Sequence, residues 1–119
     1  MHGIAVKTAH TDAPNMECPA FRSAVEVVTG KWKIAIVSTL MDGPQRFGEI
    51  RGKIPGITQH MLTLQLRELE HYGLLVRTAY AEIPPRVVYE LTDAAYALRP
   101  VCDSLLAWSK KYGERVASV

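Results

Sequence analysis

Residues 46–91 read RFGEIRGKI, PGI, TQHMLTLQLRELEHYG, LLVRTAY, AEIPP and RVVYEL, and this stretch decides the fold. The pattern predicts a short helix, a tight turn at Pro55-Gly56 and a longer helix, which is the order of a helix-turn-helix. Two runs rich in Val, Thr, Leu and Tyr follow, and the second alternates with the period of a strand. Because neither proline of the link between them can donate a backbone hydrogen bond, the link predicts a stiff hairpin. A hairpin after a helix-turn-helix is typical of a winged helix, whose second helix can enter a DNA major groove.

The longer helix of this block carries its own boundary signals. Thr58 can cap its first turn through the side-chain hydroxyl, and Gly73 can end it as a C-cap. Leu62, Leu66 and Leu69 share one face at helical spacing, which predicts the buried side. We therefore expect the opposite, polar side to remain exposed.

Two helices are predicted ahead of this block. Cys18-Pro19 has the form of a helix start, because proline suits the first helical position, and Thr29-Gly30 should end that helix. The side chains expected to be buried in it are Phe21, Ala24, Val25 and Val28. The next helix, Lys31 to Met41, is apolar on most sides, which is usual for a helix at the centre of a core. Its charges, Lys31 and Lys33, lie only at its start.

A long helix is predicted at the C-terminal end, with Thr92 as its cap and Pro100 as the point where it kinks or divides. Its broad apolar surface consists of Leu98, Val101, Cys102, Leu105, Leu106, Trp108 and Tyr112. Trp108 and Tyr112 can stack at a subunit boundary, and a place in the core is equally compatible with their spacing. The predicted fold class is therefore mainly α with a small β-hairpin, α+β, with a winged helix-turn-helix.

The chain has 119 residues, 48% of them apolar, which suits one domain with one core. We expect residues 1–16 to form a flexible tail and residues 17–119 to form the domain. The tail lacks the continuous apolar segment of a signal peptide, and no apolar run is long enough to span a bilayer. These features predict a cytoplasmic protein without a membrane partner. The formal net charge of +2 does not by itself indicate a nucleic-acid partner.

Several motifs occur in a fixed order: CP at Cys18-Pro19, GKWK at 30–33, DGPQRFGEI at 42–50, IPGITQHMLTLQLRELEHYGLL at 54–75 and EIPPRVVYELT at 82–92. This ordered set resembles the HxlR-type transcriptional regulators, which are winged-helix proteins related to the MarR group. The resemblance implies a homodimeric repressor that binds double-stranded DNA at a near-palindromic operator. It also implies dimer contacts from the N- and C-terminal helices. A response to oxidants or electrophiles through the cysteine that matches Cys18 is implied as well.

The polar side of the longer helix is the candidate DNA-reading surface, and its members are Thr58, Gln59, His60, Thr63 and Arg67. Gln side chains suit adenine and Arg side chains suit guanine, and residues near the N-terminus of a recognition helix reach bases most easily. A solvated polar face is the ordinary alternative. The turn before this helix and the hairpin after it favour DNA contact.

Cationic side chains around these helices are candidates for phosphate contacts. Lys31 and Lys33 open one helix, and Arg46 and Arg51 border the short one; we favour Lys31, Arg46 and Arg51 as contacts that fix register on DNA. The alternative is ordinary charge that keeps the protein soluble. Arg86, at the edge of the hairpin, can reach the minor groove or phosphates, or it can pair with Glu82 across the hairpin, and both interpretations stay open.

Cys18 lies just before a predicted helix N-terminus, whose partial positive charge favours the reactive thiolate. An inert buried thiol is the alternative, and the resemblance favours reactivity. Cys102 falls on the apolar surface of the last helix, where packing in the core or at a dimer interface is the simpler interpretation. It can still serve as a resolving partner for Cys18, and nothing in the sequence tests that.

Other chemistry lacks support in the sequence. The four histidines show no metal-ligand spacing, and there is no Gly-rich phosphate loop, C-x-x-C pair or catalytic constellation. We therefore predict no metal, no cofactor and no enzymatic activity. Two alternatives to a redox-sensing repressor remain: a DNA-binding regulator without a cysteine switch, and a winged-helix module that binds protein. The small net charge leaves the second one open, although the Gln, His, Thr and Arg surface speaks against it.

Overall fold

A computed structural model describes residues 18–117 of the chain, which divides after Gly30 into two compact units. The tail predicted for residues 1–16 lies outside the described residues. In the first unit, helix α1 spans Pro19–Thr29, with Cys18 as its N-cap and Gly30 as its C-cap, as the sequence predicted.

The buried side of α1 differs from the prediction. Ala24 is exposed, whereas Val27 is buried and Val25 and Val28 are half-buried. The apolar residues of this helix spread over a wide arc, so their spacing alone did not fix which of them point inward. The expectation for Ala24 was therefore wrong.

The second unit carries the rest of the secondary structure. In chain order it contains α2 (Lys33–Leu40), β1 (Gln45–Arg46), α3 (Phe47–Lys53), α4 (Gln59–His71), β2 (Leu75–Tyr80), β3 (Arg86–Leu91), α5 (Asp93–Tyr96) and α6 (Arg99–Ala117). Helices α3 and α4 form the predicted helix-turn-helix, and β2 and β3 form the predicted hairpin. Helix α2 begins at Lys33, two residues later than predicted.

The turn and the ends of α4 follow from local chemistry. Gly56 has φ of +85°, a left-handed conformation that residues with a side chain rarely adopt, so glycine permits the tight turn after α3. The hydroxyl oxygen of Thr58 accepts a hydrogen bond from the Met61 amide at 3.1 Å, which confirms the predicted cap. Gly73, with φ of +77°, follows the last turn of α4 and lets the chain enter β2.

Within residues 18–117, the strands form one antiparallel sheet in the order β1-β3-β2. The hairpin register runs from Leu75 opposite Leu91 to Tyr80 opposite Arg86. Strand β1 was not predicted, because two residues are too few to show a period. The buried side chain of Gln45 holds β1 to α2, since its Nε2 donates to the Thr39 carbonyl at 2.7 Å.

The C-terminal helix is divided, as Pro100 suggested, and Pro100 lies in the first turn of α6, where a missing N–H costs no helical hydrogen bond. Thr92 is the N-cap residue of the short helix α5, but the side-chain cap predicted for it is wrong. Its side chain makes no capping hydrogen bond; the hydroxyl donates instead to the Gly73 carbonyl at 2.8 Å. Thr92 thus joins the end of β3 to the turn that follows α4.

The core of the second unit lies between α2, the helix-turn-helix, the inner ends of β2 and β3, and α5. Its buried members are Ile36, Val37, Leu40, Ile50, Ile54, Ile57, Leu62, Leu66, Leu69, Leu75, Leu91 and Ala95. The three predicted leucines of α4 are all among them. This burial holds α4 by one side and leaves the other side free. In the described part of the chain, no helix is long and apolar enough to cross a membrane.

Candidate DNA-binding interface

The N-terminal turn of α4 contributes three consecutive exposed residues to the predicted reading surface. Thr58, Gln59 and His60 are all exposed, and they follow one another directly at the capped helix end. Thr58 already caps the Met61 N–H, and the other N–H groups of the first turn, which lack helical acceptors, lie at the positive end of the helix dipole. Such an end favours an approaching phosphate or base acceptor. The structure therefore presents these three residues together.

Thr63 and Arg67 lie further along α4 and face the wing. The Thr63 hydroxyl donates to the Gln59 carbonyl at 2.9 Å, so its side chain is tied to the helix. Both residues line a cleft of about 380 Å³ between α4 and the hairpin, together with Leu66, Glu70, Arg77 and Tyr89. Arg67 therefore borders a partly cationic cleft, away from the start of the helix.

Arg77 is a candidate that sequence reasoning missed. It is exposed on β2, directly opposite Tyr89 in the hairpin register, and it shares the cleft with Arg67. Opposed residues of an antiparallel pair point to the same side of the sheet. The hairpin register was the signal that could have placed Arg77 beside the reading helix.

The two lysines of the GKWK motif have different environments. Lys31 is exposed, with its ammonium 4.8 Å from the centre of the Trp32 ring. Lys33 is only 8% exposed; its Nζ donates to Oε1 of Gln65 at 2.8 Å and forms an ion pair with Glu68. Lys33 is therefore neither a solubility charge nor free to bind a phosphate, which corrects its place among the sequence candidates.

Arg46 and Arg51 are both exposed and lie at opposite ends of α3. Arg46 ends β1 and is the N-cap of α3, where its backbone N–H donates to the Glu49 carboxylate at 2.8 Å. Arg51 lies in the last turn of α3. Neither guanidinium has a hydrogen bond to another side chain in the described part of the chain.

The wing holds Arg86 in a compact arrangement. Its Nη2 donates to Oε2 of Glu82 at 2.9 Å, and the guanidinium lies 4.0 Å from the centre of the Tyr80 ring. The hydrogen bond from Arg86 lowers the pKa of the Glu82 carboxyl, and the charge of Arg46 adds a smaller effect in the same direction. Of the two interpretations left open for Arg86, pairing with Glu82 is present in the structure, and DNA contact stays a prediction.

The two cysteines are free thiols in different settings. Cys18 is exposed at the N-cap of α1, and its side chain makes no capping hydrogen bond. Cys102 is half-buried and packs against the core. It borders a largely apolar cleft of about 330 Å³ between α2 and α6, whose other lining residues are Ile34, Ala35, Ser38, Leu105, Leu106 and Ser109.

Helix α6 leaves an apolar stripe uncovered. The stripe consists of Val101, Leu105, Trp108 and Tyr112, each at least 36% exposed, with Leu106 beside it at 55%. The four stripe residues are separated by four, three and four positions, which is the spacing of a two-helix seam. The Trp108 and Tyr112 rings contact each other with centroids 5.5 Å apart. Such a stripe is unusual for a surface that faces only water.

No metal centre is evident among residues 18–117, since no three His, Cys, Asp or Glu side chains there are grouped to hold an ion. A helix-turn-helix, a wing and exposed polar residues at the start of the second helix together define a winged helix-turn-helix DNA-binding protein.

Comparison with known proteins gives the same class. The HxlR-like helix-turn-helix family model matches residues 27–117. The chain is 51% identical over 90 residues to an uncharacterised HTH-type transcriptional regulator of Methanothermobacter thermautotrophicus, covering 76% of this chain and 69% of that protein. It is also 43% identical over 99 residues to YdeP of Bacillus subtilis, covering 83% and 77% of the two chains. The chain belongs to the HxlR family of DNA-binding transcriptional regulators, which are not enzymes.

Solved structures extend the comparison. The redox regulator HypR in its reduced form superposes with a TM-score of 0.75 at 38% identity, covering 84% of this chain and 99% of HypR. Diamide-treated YodB from B. subtilis gives a TM-score of 0.69 at 39% identity, covering 82% and 97%. The predicted fold class, a winged helix-turn-helix with mainly α structure, is confirmed by these matches.

Proposed function

We propose that the chain is a homodimeric repressor that reads a near-palindromic operator with α4 and responds to oxidants or electrophiles through Cys18. The observation that carries the DNA-reading part is the exposed Thr58-Gln59-His60 start of α4. Buried leucines hold the opposite side of the helix against the core, so this end faces the surface. Gln59 is the residue best suited to a bidentate contact with adenine.

The cationic residues around α4 supply the phosphate contacts in this proposal. Lys31, Arg46 and Arg51 are exposed, and Arg77 adds a cation from the wing. Arg67, at the cleft, contacts either a guanine edge or the backbone. Arg86 contacts the DNA backbone or the minor groove from the wing, and its ion pair with Glu82 is either broken or kept when it does so. Contacts of this kind fix register without reading sequence.

The apolar stripe of α6 supports a dimer. A second copy of α6 is the simplest partner for a stripe with seam spacing, because a two-fold axis brings the same residues together. Two reading helices would then bind half-sites about 34–36 Å apart, one turn of DNA, or a multiple of that distance. The proposal assigns α1 a share of the dimer contact, as the family resemblance implies.

Cys18 supports the redox part of the proposal through its position. It is exposed, free and placed at the N-terminus of α1, where a soluble reagent can reach the sulfur. The related regulator HypR has been solved in reduced and oxidised forms, and YodB after diamide treatment. These relatives motivate the extension of a thiol response to this chain.

The Cys18 thiol can react in two ways, by addition to a quinone or by oxidation to a disulfide. A quinone adds to the sulfur with formation of an S–C bond, and the thiol proton passes to the quinone, which becomes a substituted hydroquinone. Diamide instead takes two electrons and two protons from two thiols, which become a disulfide; the second thiol is Cys102 or a small-molecule thiol. Either product alters the spacing of the two reading helices, and binding weakens because both must engage together.

A comparison of cysteine variants tests the switch. Operator affinity of wild type, Cys18→Ser and Cys102→Ser is measured before and after treatment with diamide or a benzoquinone. We expect wild type to lose affinity, Cys18→Ser to be unaffected and Cys102→Ser to retain the quinone response. If wild type and Cys18→Ser respond alike, Cys18 is not the sensor and the chain is a regulator without this cysteine switch.

The DNA-reading proposal has its own test. A duplex from the promoter of the chain's own gene is compared with a scrambled duplex of equal length over a salt series. We expect a salt-sensitive complex that prefers the promoter, and loss of that preference in Gln59→Ala. A complex that is equally tight on both duplexes contradicts the assignment of α4 as a reading helix.

A further inference from the structure

Lys33 is a buried cation whose place is not explained by DNA contact. The residue is 8% exposed, and its ammonium contacts side chains of α4. A charged ammonium is unfavourable in a protein interior unless it is paired and hydrogen-bonded. Lys33 meets both conditions, because Nζ donates to Gln65 at 2.8 Å and forms an ion pair with Glu68.

Both acceptors belong to the reading helix. Gln65 and Glu68 are three residues apart on α4, so they lie on neighbouring turns of one face. The leucine contacts of α4 are apolar and non-directional, and they tolerate small rotations of the helix. The Lys33 contacts are directional, because a hydrogen bond weakens steeply away from its preferred distance and angle.

We propose that Lys33 is a positioning residue that fixes the rotation of α4, and with it the aim of Gln59 and its neighbours. The inference rests on the proposed function of α4 as the DNA-reading helix. Base contacts are bidentate and tolerate little displacement, whereas phosphate contacts from long side chains adapt. Loss of Lys33 therefore lowers the preference for operator over other DNA more than it lowers general affinity for DNA.

Lys31 provides a matched control two residues earlier in the same motif. It is exposed, and it is a phosphate candidate in the proposed function. A lysine that contacts phosphate and a lysine that positions α4 have different signatures in a salt series. Removal of a phosphate contact reduces the slope of log affinity against log salt by about 0.9 and weakens all sequences alike.

The experiment compares wild type, Lys33→Met and Lys31→Met on an operator duplex and on an unrelated duplex. Methionine is one atom shorter than lysine; it keeps a flexible apolar stem and removes the donors. We expect Lys33→Met to lower the ratio of operator to non-specific affinity about tenfold, the loss of one good base contact, with an unchanged salt slope. Lys31→Met should leave the ratio unchanged and reduce the slope. An unchanged ratio for Lys33→Met, or a reduced slope, overturns the inference.

Two further measurements keep the test decisive. Glu68→Ala removes the other end of the ion pair at a side chain that is 44% exposed, so it tests the same bridge if Lys33→Met does not fold. We expect the same loss of operator preference, and an unchanged ratio contradicts the inference. Amide hydrogen exchange without DNA should accelerate in α4 but not in β3 for Lys33→Met. Unchanged exchange in α4 overturns the positioning role of Lys33. If wild type binds no operator, that failure refutes only the DNA-reading proposal, and the exchange measurement still tests the positioning role.

Discussion

Arg67 and Arg77 line one cleft, and substitution of each to alanine should have a different effect. Arg77 lies on β2 beside α4, where we expect it to contact phosphates. Arg77→Ala should therefore weaken binding to every duplex by a similar factor and reduce the salt slope by about 0.9. Arg67→Ala should relax the preference at one base pair by about 1–3 kcal/mol if it reads guanine. Affinities measured on single-base variants of the operator distinguish a uniform loss from a loss of preference at one base pair. A uniform loss for Arg67→Ala makes it a second phosphate contact.

Glu82 gives the wing a predictable response to acid. The hydrogen bond from Arg86 lowers the carboxyl pKa below its ordinary value of 4.5. The pair therefore stabilises the hairpin fully above that ordinary value and is lost as pH falls through the lowered pKa. An NMR titration of the Glu82 carboxyl should show a midpoint below 4.5 in wild type and a higher one in Arg86→Ala. Equal midpoints contradict a persistent pair in solution.

Lys33 and Arg86 differ in how far their contacts could be predicted from the sequence. Lys33 was considered for phosphate contact because it opens a predicted helix, and Arg86 because it lies at the edge of the predicted hairpin. The structure buries Lys33 against two acceptors that lie 32 and 35 residues further along the chain. Arg86 has a local partner, Glu82, four residues away, and this pair was one of the two interpretations that the sequence left open. Contacts at long separation depend on packing that no local pattern specifies.

Helix α4 depends on one apolar side, and two of its leucines allow a controlled test of that dependence. Leu66 is 2% exposed and Leu64 is 45% exposed. Leu66→Ala should lower the free energy of unfolding by about 2–5 kcal/mol, because it removes buried contacts and leaves a cavity. Leu64→Ala should change it by no more than about 0.5 kcal/mol. Urea denaturation checks both variants, and similar losses would contradict the assigned orientation of α4.

The elements with periodic apolar residues or clear caps were the predictable ones. Thr58, the three leucines and Gly73 marked α4, and the strand Arg86–Leu91 has the predicted bounds. Strand β1 was missed because it is defined by backbone pairing of two residues with β3. Thr92 precedes a helical segment, which predicted a side-chain cap, but its hydroxyl donates to the Gly73 carbonyl instead. Local sequence signals therefore predict where helices and strands lie, whereas the hydrogen-bond partners of their polar side chains depend on the tertiary packing.

If the dimer forms through the apolar stripe of α6, a charge introduced into the stripe should prevent dimerisation. Leu105→Glu places a carboxylate in the proposed seam and should convert the dimer to monomer, since a buried unpaired charge is strongly unfavourable at an interface. Lys110→Glu changes the same helix outside the stripe and should remain dimeric. Sedimentation velocity gives the assembly state of both variants. A wild-type monomer, or a dimeric Leu105→Glu, rules out this seam.

The class of the whole molecule was predictable because several motifs agree in order along the chain. The helix-turn-helix and wing gave the fold, and the ordered motif set from Cys18-Pro19 to Thr92 gave the family. Which cations are buried and which remain exposed was not predictable, because this depends on how the elements pack together. Leu98 and Cys102 pack against the core, whereas their neighbours Val101 and Leu105 remain exposed, and a single apolar pattern on α6 does not distinguish the two groups.

Selection of binding sites from a random duplex library tests the central claim most directly. Wild type and Gln59→Ala are each used to enrich duplexes at a salt concentration near 0.15 M, where surface charges are screened beyond about 8 Å. We predict that wild type enriches a two-fold symmetric sequence whose half-sites are one turn of DNA, about 34–36 Å, or a multiple of that distance apart. Gln59→Ala should lose the preference at one position of each half-site. Enrichment of no common sequence by wild type, or of the same sequence by both proteins, would contradict a dimer that reads DNA through α4.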